Sequence, residues 1–166
     1  MKTLGIVGGI GPDSTVDYYR ALVARFRERS GGRNPAIVIH SIDVDRLLAL
    51  AGSGDRAALA DFLVAAIEPL ARAGADVGLM AANTPHLVFD EVQRRSPIPL
   101  LSVVEATRRA AAAKTLRRLV LLGTEFTMGG GFYPEVFAAA GIQVIAPTRS
   151  EDRAFVHAKY VGELLK

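Results

Sequence analysis

Gly5-Ile6-Val7-Gly8-Gly9-Ile10-Gly11-Pro12-Asp13-Ser14-Thr15-Val16-Asp17-Tyr18-Tyr19 decides how this chain is read. An apolar run that stops at two glycines is a strand entering a tight turn. A proline just past a third glycine suits the first turn of a helix, where its missing N–H costs nothing. Beyond Pro12, Tyr18, Leu22 and Phe26 recur at helical spacing until Gly31-Gly32 ends the pattern. Strand, glycine turn and helix in that order open an α/β protein.

The alternation continues outward. Short apolar runs at Leu4 to Val7, Ala36 to His40, Val77 to Met80, Leu100 to Val104, Leu119 to Leu122 and Gln143 to Ile145 predict six strands. Runs with no polar alternate, such as Ala36-Ile37-Val38-Ile39-His40, fit a parallel sheet covered on both faces, with right-handed crossovers. Ser53 or Asp55 is placed to cap a helix carrying Leu59, Phe62, Leu63, Ala66, Ile67 and Leu70, stopped at Gly74. Further helices are expected after Thr84, Glu105, Gly131 and Ser150, the last running uncapped to Lys166. The fold expected is α/β. Residues 1–110 form a first domain, a four-stranded parallel sheet flanked by helices, and residues 111–166 form a partial second α/β unit. The stretch from Gly78 to His86 and the one from Leu119 to Thr127 echo each other, each an apolar strand ending in a small residue and a threonine.

Composition narrows the function. The chain has 166 residues, half of them hydrophobic, which is enough for one domain or two small ones with a proper core. No window approaches the ~18 unbroken apolar residues of a membrane span, and the N-terminus reads as a strand, not a signal peptide. A cytoplasmic protein with no membrane partner is expected. The absence of cysteine removes disulfides, thiolate metal sites, iron–sulfur clusters and thiol nucleophiles, and no metal is expected. The net charge of +3 rests mostly on sixteen arginines, six of them in adjacent pairs and the rest scattered, without interleaved aromatics, so no nucleic-acid partner is expected.

Three strand ends offer chemistry, because the C-terminal edge of a parallel sheet collects helix N-termini and free N–H groups. At the first, Gly8, Gly9 and Gly11 allow close backbone approach to a ligand. Read as a nucleotide fingerprint, the spacing puts Ser14 in the third glycine's place and leaves Asp43 for a ribose; read plainly, it is a tight turn. At the second, Asn83 and Thr84 offer an amide and a hydroxyl suited to a carboxylate, or one of them is simply the cap before Pro85. His86 is either a packed histidine or an acid/base. At the third, Thr124 and Thr127 either close on an anion or cap their own helix.

Taken together, the stretch from Gly5 to Tyr19, Met80-Ala81-Ala82-Asn83-Thr84-Pro85-His86, and Leu121 to Met128 followed by Phe132-Tyr133 resemble the aspartate/glutamate racemase family. The similarity runs from Met1 to about Tyr160, with the motifs in the family's order. The resemblance implies two similar α/β domains with an amino acid between them, and no pyridoxal phosphate or metal. One acid/base on each face of the α-carbon would remove and return its proton, because inversion delivers the new proton to the opposite face. It implies that Asn83 and Thr84, with Thr124 and Thr127, bind the α-carboxylate, near Gly9 and Gly11, and that Arg46 holds a side-chain carboxylate. The family's usual cysteine before Asn-Thr is Ala82 here, and the family's second Gly-Cys-Thr-Glu segment lies beyond the likeness. Asp13 and His86 are then the nearest substitute bases. The expected activity is cofactor-independent racemisation of an acidic amino acid, weakened or lost; the alternative is a non-catalytic carboxylate- or nucleotide-binding module. Apolar residues at 119–122 and 142–145 without covering strands also lead us to expect a homodimer.

Overall fold

The computed structural model describes residues 1–165; Lys166, where the last helix is expected to end, lies outside the described residues. Strands β1 (Thr3–Gly8), β2 (Ala36–Ser41), β3 (Val77–Met80) and β4 (Leu100–Leu101) form a parallel sheet in the order β2-β1-β3-β4. A separate pair, β5 (Arg118–Val120) and β6 (Gln143–Ile145), is also parallel. Helices α1 (Pro12–Ser30), α2 (Val44–Ser53), α3 (Arg56–Arg72) and α4 (Phe89–Arg95) accompany the larger sheet, and α5 (Val103–Ala113) follows β4. Helices α6 (Glu125–Gly129), α7 (Phe132–Ala138) and α8 (Ser150–Lys159) accompany the smaller one. A 3₁₀ turn, Thr84–Val88, precedes α4, and a π turn, Tyr160–Leu164, follows α8.

The larger sheet is covered on both faces, as its unbroken apolar strands require. Ile6, Leu79 and Ala81 pack toward Tyr18 and Leu22 of α1. Val7 and Met80 pack toward Leu59, Leu63, Ile67 and Leu70 of α3, all fully buried. Around the smaller sheet, Tyr133, Phe137 and Ile142 gather with Val104 and Ala111 of α5. Helix α5 therefore runs unbroken through the boundary expected at residue 110 and packs on the side of the second sheet. Among the described residues no helix is long and apolar enough to cross a membrane.

Two local expectations need correction, and one open choice is settled. The strand expected over Leu100 to Val104 ends at Leu101, because the Ser102 hydroxyl accepts the N–H of Glu105 at 3.2 Å and starts α5 there, before Glu105. Asp55 caps α3 by accepting the N–H of Ala58 at 2.9 Å, while Ser53 closes the preceding helix. That helix, α2, is not among the expected elements. Asp43 starts it, accepting the N–H groups of Asp45 at 2.9 Å and Arg46 at 3.2 Å, so its carboxylate is occupied as a cap and is not held out for a ribose.

Candidate functional site

The C-terminal ends of β1 and β3 and the loop after β5 meet at one small cavity of about 40 Å³. Its polar wall is a chain of hydroxyls. The 3₁₀ turn after β3 has Asn83 at its N-cap, without a side-chain capping bond, and opens with Thr84. Thr84 Oγ1 lies 3.0 Å from Thr124 Oγ1, which lies 3.1 Å from Thr127 Oγ1. Thr124 also caps α6, accepting the N–H of Thr127 at 3.2 Å. All three threonines are at most 4% exposed. Two hydrogen bonds among three hydroxyls use two of the three protons, so one remains to be donated. Asn83 stands beside them; its Oδ1 accepts the Tyr133 hydroxyl at 2.8 Å, which leaves the amide N–H₂ as a donor. Burial pushes the Tyr133 phenol above its ordinary pKa and keeps it a donor.

The glycine turn meets this cavity through Ile10. Gly9 has φ +83°, and a Cβ there would lie 2.5 Å from the Ile42 carbonyl oxygen, so the position takes glycine for conformation and for space. Its N–H donates to Thr15 Oγ1 at 2.9 Å, and that hydroxyl donates in turn to the Gly11 carbonyl at 3.3 Å. Gly8 lies against the Thr15 side chain, and Gly11, at φ +42°, lies against Leu165. The close approach these glycines permit is to Thr15, Ile42 and Leu165, and the Gly9 N–H is already bonded within the turn.

A family model described as Asp/Glu/Hydantoin racemase matches residues 7–160. The chain belongs to that family. It is 26% identical over 150 residues to a broad specificity amino-acid racemase of Bacillus subtilis (strain 168), an alignment covering 86% of this chain. The chain spans 63% of that relative's length. Among solved structures it resembles a Yersinia pestis protein that carries an Asp/Glu racemase assignment, with a TM-score of 0.83 and 34% identity over 99% of this chain and 72% of the other. An aspartate racemase homologue from Pyrococcus horikoshii OT3 gives a TM-score of 0.78 and 33% identity, with the same coverage.

In this racemase-family chain Asn83, Thr84, Thr124 and Thr127 come together, and Ala82 lines the same cavity. Three other expected residues do not join them. Arg46 is exposed and lines a separate hollow with His40 and Asp61, its guanidinium carbon 4.9 Å from the centre of the Phe62 ring. The expected convergence of Arg46 with Asn83 on one cleft is therefore corrected. Asp13 is exposed in the first turn of α1. His86 is 5% exposed and faces a different hollow of about 340 Å³, its ring stacked on Phe89 with centroids 5.0 Å apart. Its Nδ1–H donates to the Ala82 carbonyl at 3.1 Å, while Nε2 is buried with no partner. Burial lowers its pKa to about 4, so at neutral pH it is an uncharged packed ring.

Tyr133 lies in the quoted Phe132-Tyr133 motif without an assigned role, whereas Tyr160 and Leu165 are not marked in the sequence at all. Tyr160 and Leu165 line the cavity from the segment after α8, and Tyr160 is the one ionisable side chain there among the described residues. No local pattern marks them; they arrive by the fold of the last helix, with His157 Nδ1 accepting the N–H of Glu125 at 3.2 Å where α8 meets α6. Among the described residues no three His, Cys, Asp or Glu side chains cluster as metal ligands.

Proposed function

We propose that this chain binds the α-carboxylate of an amino acid on the Thr84, Thr124 and Thr127 hydroxyls and the Asn83 amide, at a site built for cofactor-independent racemisation. The observation that carries the reading is the 3.0 Å contact between Thr84 Oγ1 and Thr124 Oγ1, which joins buried hydroxyls from beyond the two separate sheets. Neutral donors in a buried place suit a carboxylate, because bonds to an ionised acceptor are the stronger kind. With its carboxylate there, the ligand's α-carbon lies beside Ala82, whose methyl group carries no exchangeable proton. The reading is therefore binding with little turnover. On the same reading the partner is a small molecule, the protein works in the cytoplasm, and the chain divides into two units. We put that division at Ser102 and not at residue 110, a choice supported by the packing of Val104 and Ala111 of α5 with residues around the smaller sheet.

The test is release of deuterium from the α-carbon of labelled amino acids, followed against a protein-free blank. Each missing acid/base forfeits about 10² to 10⁴ in rate, so the chain should stay near the blank. Ala82→Cys should raise release clearly above it. Rapid release by the unaltered chain would reveal a base elsewhere, Tyr160 first; a silent Ala82→Cys that still binds ligand would move the α-carbon away from position 82.

A further inference from the structure

The half of the cavity facing the hydroxyl chain is hydrocarbon. Ile10, Val44, Leu48, Leu122 and Leu165 supply it. Ile10 belongs to the main core, with Val44 and Leu48 packed against that core, so this wall is fixed. Val44 and Leu48 are four residues apart on α2 and share one face, whereas Arg46, two residues from each, falls about 200° around the helix. The Asp43 cap sets where α2 begins and hence which face turns inward. Arg46 could enter the cavity only if that turn of helix unwound.

We infer that the side-chain subsite is apolar, and that the ligand is a monocarboxylic amino acid with a short aliphatic side chain, not aspartate or glutamate. This deepens the carboxylate reading above and rests on it. A second carboxylate placed against Ile10, Val44 and Leu48 would lose its hydration and gain no cation among the described residues, which is among the costliest exchanges in a protein. A short alkyl group gains by the same transfer. The small volume of about 40 Å³ favours the shortest side chains.

Isothermal titration of the whole chain with 2-aminobutyrate, valine, aspartate and glutamate tests this, with Leu122→Arg as the companion variant. Leu122 is 58% exposed at the rim, so an arginine there can fold and supply the absent cation. We expect 2-aminobutyrate to bind at least ~100-fold more tightly than either dicarboxylate. Leu122→Arg should narrow or reverse that ratio. Aspartate or glutamate binding as well as 2-aminobutyrate would overturn the apolar subsite and leave the carboxylate reading standing. An unchanged ratio in Leu122→Arg would also overturn it, by placing the side chain elsewhere. Failure of all four ligands to bind would overturn both.

Discussion

His86 illustrates how one side chain can look catalytic in a sequence and be structural in the fold. It follows the Asn83-Thr84 pair by two residues, but the 3₁₀ turn sends its ring away from the hydroxyls into a stack with Phe89 and, at 6.3 Å, Phe132. Its pKa of about 4 in the fold, against 6.5 when unfolded, makes it a stability element with a definite sign. Between those values the unfolded chain binds the extra proton, so acid favours unfolding. The contribution is intact above pH 6.5, falls as pH drops, and is lost by about pH 4, a change of about 3 kcal/mol. Urea unfolding of the parent chain and His86→Phe across this range should show a steeper acid loss in the parent. Parallel curves would mean that the ring is hydrated or already charged. An amide and a hydroxyl at a strand end mark Asn83 and Thr84 as candidates, and the fold brings both to the cavity. Arg46 misled because chain distance from a strand end does not say which helix face a residue occupies.

At the scale of elements, the turn between β1 and α1, beside the site, is tightly constrained. Gly9 combines a left-handed φ with a backbone oxygen 2.5 Å from any added Cβ, whereas Gly31, at φ +68°, has nothing within 4 Å. Gly9→Ala should therefore cost at least ~3 kcal/mol or abolish folding, and Gly31→Ala only about 1 kcal/mol. Thermal unfolding of the two variants measures this directly, and equal losses would refute the packed turn. The glycines were legible in the sequence as a strand-to-helix turn, but what fills the turn was not. Thr15 reaches back into it only because α1 starts at Pro12 and brings its first inward face to the Gly9 N–H. Helix α2 escaped notice for a related reason: its cap, Asp43, reads equally well as a loop aspartate, and a helix of ten residues offers few turns of periodicity. The four-stranded sheet was readable because parallel strands buried on both faces leave uninterrupted apolar runs, whereas the short strand at Leu100-Leu101 was overextended by the Val103-Val104 pair that begins α5.

At the scale of the molecule, two sheets of unequal size are tied by polar contacts across the cavity, Thr84 to Thr124 and Asn83 to Tyr133. The smaller sheet has two strands, with Val120 73% and Leu122 58% exposed. Two-stranded sheets gain little stability alone, and exposed apolar edges attract further strands. Sedimentation of the isolated chain should show a homodimer or larger species, and Val120→Lys should shift it toward monomer; a concentration-independent monomer would contradict this. The central claim, that the hydroxyls joining the sheets form an amino-acid site, is tested most directly by amide chemical shifts of the ¹⁵N-labelled chain during titration with 2-aminobutyrate. The account predicts that the amides of Asn83, Thr84, Gly123, Thr124 and Thr127 move together along one binding curve, and that Thr84→Val removes the response. Shifts confined to the hollow around Arg46 and Phe62, or a response that survives Thr84→Val, would contradict it.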